Sequence, residues 1–191
     1  FCLVTIKVSA IEKVILFGDS LMAGYGLPNE QHLSVVLQRS LEFDGHNIKI
    51  INGSVSGSTS AGGLNIAEWT LSENNIDLMI LCLGANDMLR GINPKETKNN
   101  LEEIIQIAKN KNIKVIIAGM IAPTSYGFAY KKSFDKIFSD LSKKHKLQLI
   151  PFLLEGVAQN PKFNLSDGMH PNDQGTIIIG NTLKKAILEN L

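Results

Sequence analysis

Five largely apolar runs alternate with stretches of helical periodicity, and that alternation leaves few folds open to this chain. The runs cover residues 14–17, 48–51, 78–83, 115–121 and 147–154. Such runs mark strands buried on both faces of a parallel sheet, whereas half-buried strands alternate apolar with polar residues. Between them, Leu33, Val36, Leu37 and Leu41 recur at helical spacing. So do Leu101, Ile104, Ile105 and Ala108, and then Phe134, Ile137, Phe138 and Leu141. Asn93 before Pro94 reads as a helix start, with Asn93 as N-cap and Pro94 in the first position. Pro171 is expected to begin the final helix, which carries Ile179, Leu183 and Ile187. Parallel strands need crossovers, and the helices supply them. The expectation is an α/β fold of three layers, α/β/α, around a parallel sheet of about five strands. Pro151 makes the last strand short or places it at an edge.

The chain has 191 residues, which suits one domain with a sizeable core. Lysine and arginine total 19 against 18 acids, so no strong electrostatic footprint for nucleic acid or an acidic membrane follows. The apolar runs are too short to span a bilayer, so no stable membrane insertion is expected. There are two cysteines, Cys2 and Cys82, and a disulfide framework is not expected. Cys82 sits inside an apolar strand as a small buried hydrophobe. Phe1 to Ile6 is apolar, and Val8-Ser9-Ala10 offers small residues suited to signal peptidase. Residues 1–10 are therefore expected to be the remnant of a secretory signal. Residues 11–191 would form the single mature domain, in the periplasm or secreted. Without a signal the chain would be cytoplasmic.

Residues able to do chemistry gather where the apolar runs end. Phe17-Gly18-Asp19-Ser20-Leu21 closes the first run and Asn52-Gly53-Ser54-Val55-Ser56-Gly57 the second. Gly84-Ala85-Asn86-Asp87 closes the third, and Asp167-Gly168-Met169-His170-Pro171 precedes the last helical stretch. Each alone can be a turn or a helix cap. Together they supply a hydroxyl nucleophile, a carboxylate, an imidazole and spare donors, which is the inventory for acyl transfer. Ser20 is the candidate nucleophile. Asp167 and His170, three residues apart, can share a face, so that the carboxylate fixes the imidazole and its other nitrogen addresses Ser20. Gly57 allows close backbone approach and Asn86 carries an uncharged donor, so both are oxyanion candidates. His32, His46 and His145 are scattered and suggest no metal site. Gly18, Gly24 and Gly26 do not match a dinucleotide fingerprint, and no cofactor is expected.

Gly18-Asp19-Ser20-Leu21, Gly57, Gly84-x-Asn86-Asp87 and Asp167-x-x-His170 resemble, in order, the four sequence blocks of the SGNH (GDSL-type) hydrolases. The residues 23–28, 59–64, 89–91 and 151–157 are similar to the bacterial branch of acyl-CoA thioesterases, arylesterases and lysophospholipases. The resemblance covers Lys13 to the C-terminus. It implies a flavodoxin-like fold with Ser20, Asp167 and His170 as catalytic triad. It implies an oxyanion hole made by the N–H of Ser20, the N–H of Gly57 and the side chain of Asn86. The expected activity is hydrolysis of fatty-acyl or aryl esters, acyl-CoA or lysophospholipid through an acyl-enzyme on Ser20, with a small-molecule substrate and no cofactor. A carbohydrate deacetylase of the same superfamily is the alternative hydrolase, and a catalytically silent ligand-binding module is the alternative of another class. The chain departs from the pattern at Ser58, where such sequences often carry Asp, and in the loop 122–130. The first bears on how the Gly57 loop is held, the second on the acyl group preferred.

Overall fold

The computed structural model describes residues 11–72 and 75–191. The expected signal remnant at 1–10 and Cys2 lie outside them. Five strands, β1 (Lys13–Gly18), β2 (Lys49–Asn52), β3 (Leu78–Cys82), β4 (Lys114–Ala118) and β5 (Gln148–Ile150), form one parallel sheet in the order β2-β1-β3-β4-β5. The helices are α1 (Ser20–Ala23), α2 (Leu33–Phe43), α3 (Ser60–Thr70), α4 (Ala85–Leu89), α5 (Pro94–Asn110), α6 (Gly127–His145) and α7 (Asp173–Leu188). Helix α2 packs on α7, while α5 packs on α3 and α6, so the sheet is covered on both faces as expected. The strand order is the flavodoxin-like one.

The core explains the unbroken runs. Val14 to Phe17 in β1 and Leu78 to Cys82 in β3 are at most 1 % exposed, because helices cover them from above and below. Each such leucine or isoleucine stabilises by about 1.5–3 kcal/mol relative to an exposed one. Strand β5 is short and lies at an edge, and Pro151 follows its last residue.

The run 147–154 is a strand only over Gln148–Ile150, and two further expected boundaries move. The run 115–121 is a strand only to Ala118. Beyond it Gly119 still donates to the Ile150 carbonyl, and Met120 is buried without being in the strand. Apolar character there reports burial, not pairing. The final helix does not begin at Pro171. Asn172 is its N-cap, with its side chain accepting the Gly175 N–H at 3.0 Å, and α7 starts at Asp173. Pro171 lies one residue earlier, bridged antiparallel to Asn164.

The topology decides where a ligand can sit. Strand β1 leads to β2 on one side and β3 leads to β4 on the other, so the winding reverses between β1 and β3. Open α/β sheets bind ligands in the crevice at the carboxyl ends of such strands. Gly18, the last residue of β1, pairs with Cys82, the last of β3. Ser20 and Asn86 therefore leave the sheet side by side.

Candidate active site

Ser20 opens the one-turn helix α1. Asp19, its N-cap, accepts the Leu21 N–H at 3.0 Å and fixes the turn that carries the hydroxyl. The turn ends at Gly24 in the left-handed region, φ 88°. A side chain at Gly24 would strike the His32 ring, whose Nε2 lies 3.1 Å from the Leu27 carbonyl. His32 is thus a packing residue beneath the nucleophile turn.

From the far end of the sheet, the loop before α7 brings His170 to Ser20. Nε2 of His170 lies 2.9 Å from Ser20 Oγ, and Nδ1 lies 2.7 Å from Asp167 Oδ2. The compact turn has Gly168 at φ 71°. It points the N–H groups of Met169 and His170 at Asp167 Oδ1, at 2.9 and 3.0 Å. The His170 N–H foremost, then that of Met169, hold the Asp167 carboxyl down at about 2. An ionised carboxylate only accepts, so Nδ1 carries the ring proton and Nε2 presents its lone pair to the serine hydroxyl. The Tyr25 ring lies over the imidazole, centroids 4.5 Å apart and planes tilted 38°.

The two remaining candidates are tied to this pair. Asn86, at the start of α4, donates from Nδ2 to the Ser58 carbonyl at 3.1 Å, and the same nitrogen lies 3.4 Å from Asp19 Oδ2. Its side chain reaches across to β1 and the Gly57 loop, so it does more than close a local turn. Gly57 sits at φ 79°, a conformation that favours glycine, and its carbonyl accepts from Arg90 Nη2 at 3.1 Å. The structure brings Ser20, Gly57, Asn86, Asp167 and His170 to one edge. It leaves His145 remote, paired with Glu102 at 2.8 Å. His46 lines a larger hollow at the opposite, amino end of the sheet, with Lys13 and Lys49. Among the described residues, no group of three His, Cys, Asp or Glu side chains stands close enough to hold a metal. Cys82 is fully buried, which pushes its thiol well up.

Three supporting residues stood in the quoted segments without an assigned role. Asp87 is 1 % exposed and accepts from the Ser60 N–H, the Ser60 hydroxyl and the Thr97 hydroxyl. It anchors the start of α3, and so the far side of the Gly57 loop, while Ser58 contributes through its carbonyl, which accepts from Asn86. Arg90 holds the loop from above. Asp19 is fully buried; burial pushes its carboxyl up to about 6, against the opposing pull of the Leu21 N–H and the Asn86 amide. An acid following closely on a buried run was the available signal for Asp19 and Asp87.

Residues 16–176 match the model of the GDSL-like lipase/acylhydrolase family. The chain belongs to that family. Its relatives in the GDSL-like group include an arylesterase of Vibrio mimicus, 35 % identical over 191 residues, which span all of this chain and 95 % of that protein. They also include the thioesterase 1/protease 1/lysophospholipase L1 of Escherichia coli K12, 30 % identical over 185 residues, or 97 % of this chain and 88 % of that one. Among solved members, the psychrotrophic esterase EstA from Pseudoalteromonas sp., described as inhibited by monoethylphosphonate, superposes with a TM-score of 0.89 at 28 % identity. The alignment covers 93 % of this chain and 97 % of that one. The GDSL-like relatives are thus named as esterases and thioesterases.

Proposed function

We propose that this protein hydrolyses carboxylic esters and thioesters through an acyl-enzyme on Ser20. The observation that carries the reading is the unbroken chain Ser20 Oγ–His170–Asp167, at 2.9 and 2.7 Å, opening at the carboxyl edge of β1. Ser20 attacks the acyl carbon as its proton passes to His170 Nε2. Asp167, ionised, stabilises the imidazolium that results. The carbonyl oxygen becomes an oxyanion facing the N–H groups of Ser20 and Gly57 and the Asn86 amide. Collapse breaks the ester or thioester bond, and the leaving alcohol or thiol takes the proton from His170. Water then attacks the acyl carbon, again giving its proton to His170, and the acid departs as Ser20 recovers its hydrogen.

The rim around Ser20 suits an apolar acyl or aryl group. Exposed large apolar side chains follow each strand on its carboxyl side: Tyr25 after β1, Val55 after β2, Leu89 at the end of α4 after β3, Ile121 after β4 with Phe128 in the first turn of α6, and Met169 after β5; Tyr25 packs on the His170 ring itself. This favours fatty-acyl and aryl substrates over acetylated sugars. No helix among the described residues is long and apolar enough to cross a membrane. A hydrolysis panel of nitrophenyl esters of increasing length, acyl-CoA, lysophospholipid and an acetylated sugar tests the reading. The expected result is turnover of the acyl and aryl substrates that Ser20→Ala abolishes. Turnover of the acetylated sugar alone would make the protein a deacetylase, and turnover of none would leave a ligand-binding module.

A further inference from the structure

The mechanism above makes no use of Asp19, although it is a fully buried acid next to the nucleophile. Its two oxygens are divided. Oδ1 takes the Leu21 N–H at 3.0 Å and thereby orients the turn whose Ser20 N–H faces the oxyanion. Oδ2 lies 3.4 Å from Asn86 Nδ2 across the β1–β3 junction, 67 residues away in sequence. The Ser58 carbonyl, 3.1 Å from the same nitrogen, is a second acceptor. An asparagine amide is nearly symmetric in shape, so packing alone hardly distinguishes its oxygen end from its nitrogen end. Here the surroundings do distinguish them. Turned over, Asn86 would set its carbonyl oxygen against a carboxylate and a carbonyl, acceptor against acceptor. It would also offer the oxyanion an oxygen instead of an N–H. The contact to Asp19 is the longer of the two, so it can aim the amide and still yield a hydrogen to a more strongly charged acceptor.

We infer that Asp19 is a positioning residue of the oxyanion hole, which holds Asn86 with its N–H₂ end toward the reacting carbonyl while it caps the nucleophile turn. The inference rests on the ester-hydrolase reading, and its test separates the two. Asp19→Asn keeps an oxygen for the Leu21 N–H but replaces the acceptor facing Asn86 with a donor. Asp19→Ser keeps a helix cap but is too short to reach Asn86. With a nitrophenyl ester that the wild type hydrolyses, both variants are expected to lose roughly ten- to a hundredfold in kcat, with KM within about twofold. Because Asp19 acts through Asn86, the double variant Asp19→Asn/Asn86→Ala should fall no more than about threefold below Asn86→Ala alone. Multiplication of the two separate losses would overturn the inference. So would a wild-type kcat in either folded variant, or a change confined to KM and thermal midpoint. A readout free of turnover is the ¹H–¹⁵N signal of the Asn86 side-chain amide. It should be a single species in the wild type and split or shift in Asp19→Asn. An unmoved signal would also overturn the inference. If the wild type hydrolyses no ester, the activity reading fails, and this signal still decides whether Asp19 orients Asn86.

Discussion

Single residues at the site divide between charge and direction. If Asn86 donates to the oxyanion, its bond strengthens only as the carbonyl gains charge, so Asn86→Ala should lower kcat far more than it raises KM. Losing one such donor costs roughly a hundred- to a thousandfold. A lost turn bond would instead cost on the order of 1 kcal/mol of stability with kcat preserved. Steady-state kinetics and a thermal melt of the same variant discriminate the two. The carboxyls differ in sign. Asp167 is held down at about 2, so it favours the folded state above its ordinary range, and that share is lost as pH falls through about 2. It stays ionised wherever the enzyme works, and so holds the His170 ring through Nδ1. Asp19 is pushed up to about 6, with His170 and Asp87 facing it and Cys82 beneath. Its native form binds the proton more tightly. Its stabilising share is therefore full below about 4 and lost as pH rises through about 6. The melting temperature of the wild type should fall relative to that of Asp19→Asn between pH 4 and 7. A difference that is flat with pH would mean the carboxyl is not shifted upward.

At the scale of elements, the segment 122–130, expected as a loop, runs into the first turn of α6 at Gly127 and is bolted to its neighbours. Ala122 N–H donates to Asp135 Oδ1 at 2.8 Å and its carbonyl accepts from Lys131 Nζ at 2.7 Å. The Tyr126 hydroxyl donates to the Leu89 carbonyl at 3.1 Å, and the Tyr130 hydroxyl to that of Ile92 at 2.9 Å. Rings continue the tie inward from Tyr130 to Phe134, centroids 6.0 Å apart, and on to Phe138. The apolar rim after β3 and β4 is therefore one surface. Tyr126→Ala should free it and change the ratio of kcat/KM between long and short nitrophenyl esters several-fold, with the acetyl ester little affected. Equal loss on every chain length would place Tyr126 in stability instead of acyl selection. The elements differ in how legible they were. β1 and β3 could be read because both faces are buried and the residues advertise it. The end of β4 could not, because Met120 is as apolar as a strand residue yet packs from a loop. The start of α7 was missed because Pro171, suited to a first helical turn, is used in the bridge to Asn164.

For the whole molecule, five candidate side chains and backbones were legible because each follows the end of a run or precedes the last helix. Their partners were not. Asp19 and Asn86 are 67 residues apart, and Asp87 reaches Ser60 over 27, distances at which periodicity says nothing about contact. Strand order is what unites them, and it emerged only from the fold. Export is a further proposal at this scale. A precursor cut after Ala10 would begin at Ile11, which N-terminal sequencing of the native protein would read, and an intact segment 1–10 in a cytoplasmic fraction would refute it. The acyl-enzyme itself is tested by treating the wild type and Ser20→Ala with a fluorophosphonate and mapping the adduct by peptide mass. One adduct on Ser20, none on the variant, and loss of ester hydrolysis in step with labelling is the expected result. An adduct on another serine, or a Ser20→Ala protein that keeps its turnover, would contradict it.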